Sequence, residues 1–154
     1  MTTATVSDFT LPTNGGGQFR LADQRGRIVV IYFYPKDNSP GCTTEGLDFA
    51  ALHEPFLAAG AVVVGISRDS VKSHDNFCAK HGFPFPLLSD SDERVCQQFD
   101  VIHMKKLYGK NVRGVVRSTF VIDRKGRLAH EWRGVKVPGH AQAVLDAVRA
   151  MNAD

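Results

Sequence analysis

Three dense hydrophobic runs stand out along the chain, separated by polar and periodic stretches. Ile28–Tyr34 (IVVIYFY), Ala61–Ser67 (AVVVGIS) and Arg117–Asp123 (RSTFVID) are rich in β-branched and aromatic residues, the pattern of strands buried on both faces. The first run stops at Pro35, and a loop follows to Gly41. A helical pattern opens near Thr43, with Leu47, Ala50, Ala51, Glu54 and Leu57 at three- and four-residue spacing and Gly60 closing it. Pro55 inside that pattern predicts a kink or break, because proline lacks the N–H and crowds the preceding turn. Ser70 is a good N-cap for a helix running to His81, with Gly82 past its end. A short strand around Pro86–Leu88 and a helix from about Asp92 to Phe99 come next. Lys125-Gly126 turns the third run into Arg127–Arg133 as a hairpin. The closing helix runs from Gly139 to about Met151, apolar at Ala143, Val144, Ala147, Val148 and Met151. At the other end, Phe9–Leu11 and Gln18–Arg20 flank Gly15-Gly16-Gly17 and read as an N-terminal β-hairpin.

This order gives one α/β domain over residues 1–154: parallel βαβ units, an antiparallel hairpin and a closing helix. The expected result is a central mixed β-sheet flanked by helices, for which a thioredoxin-like fold is the natural candidate. The length of 154 residues is enough to bury a core without disulfide staples.

Charge narrows the partners. The net charge is +3 and the 19 Lys and Arg are scattered, which argues against a nucleic-acid surface. No apolar run reaches the roughly 18 residues needed to cross a membrane. Met1–Phe9 has no basic stretch followed by an apolar one, so a cytoplasmic location is the expectation. Three cysteines in a reducing compartment do not form a structural disulfide framework. They are either buried apolar thiols or redox groups, and position separates the two.

Cys42 falls between the end of a buried strand and the start of a helix. A thiol there faces free backbone N–H groups and the positive end of the helix dipole, which favour the thiolate nucleophile. The surrounding stretch FYPKDNSPGCTTE resembles the active-site loop of peroxiredoxins, in which Pro, three residues, Thr or Ser, and two residues precede Cys. Those positions are Pro35, Ser39 and Cys42. The resemblance implies that Cys42 is the peroxidatic cysteine, attacking the peroxide O–O bond to give a sulfenic acid. It implies that Pro35 shields the pocket and that the Ser39 hydroxyl hydrogen-bonds thiolate or peroxide. Ser in place of the commoner Thr keeps the hydroxyl and loses a methyl. Arg117 matches the arginine that holds the thiolate and polarises the peroxide, and Glu45, one helical turn after Cys42, could orient it.

A sulfenic acid must meet a second thiol to be recycled. One pattern of the PrxQ (bacterioferritin comigratory protein) subfamily places that thiol five residues after the first, where this chain has Leu47. The other places it on the next helix, and Cys78 in HDNFCAKHGFPF matches. The resemblance extends from VSDFTLP to GHAQAVLDAVRA. It implies a monomeric atypical two-cysteine peroxiredoxin with no cofactor, acting on hydrogen peroxide and organic hydroperoxides. Cys42 and Cys78 would pair transiently, with local unwinding around both, and thioredoxin or glutaredoxin would reduce the pair.

Other readings remain. Cys96, in DERVCQQF beside Val95 and Phe99, reads as a core thiol. His74, Cys78 and His81 share helical spacing and could present three metal ligands. A thiol–disulfide oxidoreductase would want Cys-x-x-Cys, and position 45 is Glu. A non-catalytic module on the same sheet would tolerate Cys42→Ser. Phe77, Phe83 and Phe85 either pack or line the pocket mouth, and Trp132 packs with its N–H near the surface.

Overall fold

A computed structural model describes residues 4–152; of the N-terminal stretch Met1–Phe9 considered above, Met1, Thr2 and Thr3 lie outside the described residues. β1 (Thr10–Pro12) and β2 (Gln18–Arg20) pair antiparallel as the expected hairpin, and the Asn14–Gly16 turn between them is a short 3-10 helix. β3 (Ile28–Phe33) follows. α1 (Pro40–Ala51) and α2 (His53–Ala58) then lead to β4 (Ala61–Ser67), and α3 (Val71–His81) leads to β5 (Leu87–Ser89). The chain continues through α4 (Arg94–Gln98), β6 (Ile102–Leu107), β7 (Lys110–Val115), β8 (Ser118–Ile122), β9 (Leu128–Arg133) and α5 (His140–Asn152).

The central sheet has five strands in the order β5-β4-β3-β8-β9. β3, β4 and β5 are parallel, whereas β8 is antiparallel to β3 and to β9, so the sheet is mixed as expected. Every residue of β3 is buried, because the strand sits mid-sheet between two cores. Ile28, Val30 and Tyr32 point into one, with Phe49, Phe56, Phe77, Val144 and Val148 from the helices. Val29, Ile31 and Phe33 point into the other, with Phe9, Phe19, Val95 and Phe99. Alternation of side chains across a strand makes one apolar run serve both.

Three elements differ from the expectation. First, α1 begins at Pro40 rather than Thr43: proline suits the first helical position, where its missing N–H has no intrahelical acceptor. The break expected at Pro55 is present: the helix stops at Ala51, since Pro55 has no N–H to donate to that carbonyl. Second, the inward face of α1 is Cys42, Glu45, Gly46 and Phe49, continuing to Phe56 in α2. Leu47 and Leu57, expected inside, are 43% and 45% exposed. Gly46 is what allows the close approach: a Cβ there would stand 2.6 Å from the Phe83 ring. In α5 the buried set is His140, Ala141, Val144, Leu145 and Val148, with Ala143 turned out. Third, residues 102–115, left unassigned by the hydropathy pattern, form the β6–β7 hairpin. Its turn, Tyr108-Gly109, has both φ angles positive, the type that matches strand twist in two-residue hairpins.

The α3 expectation holds in detail. Ser70 Oγ accepts from the Ser73 N–H, and Gly82 closes the helix in the left-handed conformation. α4 is shorter than the pattern suggested. Phe77 and Phe85 are buried and Phe83 packs between them, its ring 5.0 Å and 5.6 Å from theirs. Trp132 is partly buried against the helix-side core.

Candidate active site

Cys42 is the third residue of α1, just beyond the C-terminal end of β3. Between them the loop turns at Asn38, whose positive φ suits a residue that tolerates the left-handed region. The Ser39 carbonyl accepts the first helical bond, from the Thr43 N–H. Cys42 is buried at 1% exposure, and its sulfur faces the Arg117 guanidinium, whose Nη2 lies 3.5 Å from Sγ.

Arg117 stands immediately before β8. Its backbone carbonyl accepts from the Val135 N–H, and the Ser118 hydroxyl donates to the Val116 carbonyl, so the segment is pinned on both sides. The guanidinium reaches under α1, where Gly41 makes room; a Cβ there would be 3.1 Å from Nη2. Its other terminal nitrogen, Nη1, donates to Glu45 Oε1 at 2.7 Å. Glu45 thus grips the fork that faces the sulfur, and its own Oε2 is buried without a partner. Burial pushes the Glu45 carboxyl up to about 7, with Arg117 opposing. Behind Arg117, His140 shares a hydrogen bond with Thr119 Oγ1 at 2.8 Å, and burial, then Arg117, drives its pKa down to about 4.

Pro35 is half-buried at the end of β3. Ser39, at the N-cap position of α1, does not cap it: its hydroxyl donates to the Lys36 carbonyl at 2.8 Å, leaving the oxygen lone pairs free to accept. Cys78 lies on α3 in the same core as Cys42, and all three cysteines are free thiols. Burial, then Asp37 and Asp75, raises the Cys78 thiol to about 11. Cys96 is in the opposite core. The metal alternative fails on geometry: His74 faces inward between Asp37 and the Leu88 carbonyl, and among the described residues no group of three potential ligands could hold a metal. The sequence reading overlooked Gly41, whose signal was its place between Pro40 and Cys42, and the polar cluster around Asp37.

A thiol at a helix N-terminus, a guanidinium aimed at it and a carboxylate gripping that guanidinium form a site for a nucleophile and a developing anion. The sequence relatives agree. Residues 2–131 match the AhpC/TSA family. The chain is a peroxiredoxin of that family. Peroxiredoxin Bcp of Xanthomonas campestris pv. campestris is 58% identical over 147 residues, covering 96% of this chain and 92% of that protein. Peroxiredoxin Bcp of Bacillus subtilis is 45% identical, covering 94% and 92%. A solved structure of the Xanthomonas campestris bacterioferritin comigratory protein, studied for alkyl peroxide reduction, superposes with TM-score 0.89 at 57% identity, covering 93% of this chain and 91% of that one. These relatives place this peroxiredoxin in the PrxQ/BCP branch with the thioredoxin-like fold. Among the described residues no helix is long and apolar enough to cross a membrane.

Proposed function

We propose that this peroxiredoxin is a thiol-dependent peroxidase in which Cys42 reduces hydrogen peroxide and organic hydroperoxides and Cys78 resolves the product. The observation that carries the reading is the Cys42–Arg117–Glu45 geometry. The Cys42 thiolate attacks the nearer peroxide oxygen; the O–O bond breaks, Cys42 becomes a sulfenic acid and the alkoxide leaves as alcohol after taking a proton. Arg117 holds the thiolate and stabilises the charge that develops on oxygen. Ser39, its proton committed to Lys36, accepts the peroxide O–H, and Pro35 keeps water from the pocket.

The Cys78 thiol then attacks the Cys42 sulfenic acid, forming a Cys42–Cys78 disulfide and releasing water. A disulfide needs Cα atoms roughly 4.4–6.8 Å apart, and in this reading α1 and α3 unwind locally to bring the two thiols together. A dithiol donor such as thioredoxin or glutaredoxin restores both thiols. The reading takes the chain as one domain acting as a monomer in a reducing, cytoplasmic setting, without cofactor.

Intact mass after one equivalent of peroxide tests it. Wild type loses two hydrogens, Cys78→Ser gains one oxygen or more, and Cys42→Ser neither changes mass nor consumes peroxide. Undiminished peroxide consumption by Cys42→Ser overturns the assignment. A Cys42–Cys78 disulfide with both helices intact overturns the unwinding.

A further inference from the structure

Next to the site lies a buried polar cluster that the reaction above does not use. Asp37, in the loop between β3 and α1, receives three side-chain donors. Tyr34 Oη donates to Oδ1 at 2.6 Å, Ser73 Oγ donates to Oδ2 at 2.8 Å, and His74 Nδ1 lies 2.7 Å from Oδ2. The Asp37 N–H donates to Asp69 Oδ2 at 2.9 Å, and Ser67 Oγ donates to the same oxygen at 2.6 Å. The second ring nitrogen of His74, Nε2, is 3.0 Å from the Leu88 carbonyl, which can only accept. A carboxylate lies on one side of the ring and a carbonyl on the other, so both ring nitrogens are engaged. Burial alone would raise the Asp37 carboxyl, but the His74, Tyr34 and Ser73 hydrogen bonds outweigh it and hold the group below its ordinary value. The result is a hydrogen-bonded contact whose His74 and Asp37 side chains are 0% and 1% exposed.

Its place in the chain gives it a consequence. Asp37 is in the loop that leads into Cys42, and His74 precedes Cys78 by four residues, one turn of α3. The pair ties the loop of one thiol to the turn that carries the other, and through Leu88 it ties that turn to β5. Opening α3 far enough to release Cys78 strains this contact first. Breaking it leaves buried polar groups without partners, so the contact resists being opened.

We propose that the Asp37–His74 pair is a clamp that sets how readily Cys78 leaves α3 to meet an oxidised Cys42. The proposal rests on the reading of Cys42 and Cys78 as a peroxidatic and resolving pair. The Cys42 sulfenic acid has two fates. The Cys78 thiol attacks it, forming the S–S bond and releasing water, or a second peroxide transfers one oxygen to it, giving sulfinic acid and an alcohol. The clamp slows the first and so exposes Cys42 to the second. Asp37 and His74 are positioning residues here, acting through α3.

Two variants and a control test it. Asp37→Asn keeps the shape and removes the charge, and Ser73→Ala removes one donor to Asp37 and is the milder change. The expected result for Asp37→Asn is amide exchange over residues 75–82 of the reduced protein faster by about tenfold, the size of one charge-assisted hydrogen bond. Disulfide formation after one equivalent of peroxide quickens, and the peroxide concentration that over-oxidises half of Cys42 rises. Ser73→Ala moves all three in the same direction, by about threefold. Val95→Ala, in the opposite core, lowers the melting temperature without moving the partition between disulfide and sulfinic acid. Unchanged α3 exchange and an unchanged over-oxidation threshold in Ser73→Ala overturn the clamp, even where Asp37→Asn does not fold. An equal shift of the partition in Val95→Ala overturns it too, because general destabilisation then suffices. A wild type that forms no Cys42–Cys78 disulfide instead defeats the proposed function, and the exchange over α3 still judges the clamp.

Discussion

Cys42 and Cys96 occupy the same position in their helices, the third residue of α1 and of α4, and both are buried, at 1% and 0% exposure. Helix position therefore does not separate the thiol proposed to react from the one read as a core thiol. The neighbouring charge does. Cys42 faces the Arg117 guanidinium. Cys96 sits over Asp90, whose carboxylate accepts the Cys96 N–H at 2.7 Å, and burial followed by that carboxylate pushes its thiol far above the ordinary range. α4 is also five residues long against twelve for α1, so its dipole is the smaller of the two. Cys78 falls between them: it shares the core of Cys42 but is backed by Asp37 and Asp75. A thiol that stays protonated in the resting fold does not compete for peroxide, which suits a group that acts only after α3 opens.

The strongest way to break the contrast is to remove the cation. Arg117→Met leaves Cys42 at its helix N-terminus without the guanidinium that faces its sulfur. The rate of Cys42 oxidation by peroxide, followed by stopped-flow fluorescence or by quench and mass, falls by about a hundredfold or more, the usual loss when one preorganised donor at a developing anion is removed. Arg117→Lys keeps the charge but not the fork that touches Glu45 and sulfur together, and falls between. A loss of less than about threefold in Arg117→Met would mean that α1 alone activates Cys42.

Glu45 sharpens the comparison, since it grips the very cation that lies against the Cys42 sulfur. Its folded pKa is raised from 4.5 to about 7 by burial, against the pull of Arg117. A raised carboxyl binds its proton more tightly in the folded chain than in the unfolded one, so stability falls as pH rises through this window. Against Glu45→Gln, wild type is therefore relatively more stable near pH 4 and loses ground up to about pH 7, by on the order of 3 kcal/mol in all. Urea unfolding of both proteins at pH 4 and pH 8 measures the gap. A wild type that gains on the variant as pH rises would show that the Arg117 pair overcomes the cost of burial.

How much of this was legible in the residues depends on what hydropathy counts. β3, β4 and β8 were visible as apolar runs, and α3 was bracketed by Ser70 and Gly82. The inward face of α1 was not, because it is made of Cys42, Glu45 and Gly46, which a hydrophobic pattern ignores, while Leu47 and Leu57 advertise the outer face. The β6–β7 hairpin was missed for a related reason: its first four β7 residues are exposed, and Met104 and Tyr108 are turned to solvent. At the site, the loop motif brought Pro35, Ser39 and Cys42 together in sequence. Arg117, 75 residues from Cys42, was named by the family resemblance, and the pairing of β8 with β3 is what brings it to the sulfur. His74 looked like a surface ligand at helical spacing with Cys78 and His81. It is buried because β5 and the Asp37 loop close over it, which no periodicity within α3 could reveal.

The smallest expected effect lies on the other side of the comparison. Cys96 touches no group of the proposed reaction and fills space in the second core beside Val95 and Phe99. Cys96→Ala removes one buried sulfur, costing about 1 kcal/mol and lowering the melting temperature by a few degrees. Peroxide consumption stays at the wild-type rate. In the native protein, iodoacetamide reacts with Cys42 well before Cys96, and Cys96 reacts only as the chain unfolds, since its thiol is both covered and backed by Asp90. Labelling of the two at equal rates in folded protein would remove the basis of the comparison, because the neighbouring carboxylate would then confer no protection. Selective labelling of Cys42 that disappears in Arg117→Met would tie the difference between two like-placed thiols to a single guanidinium.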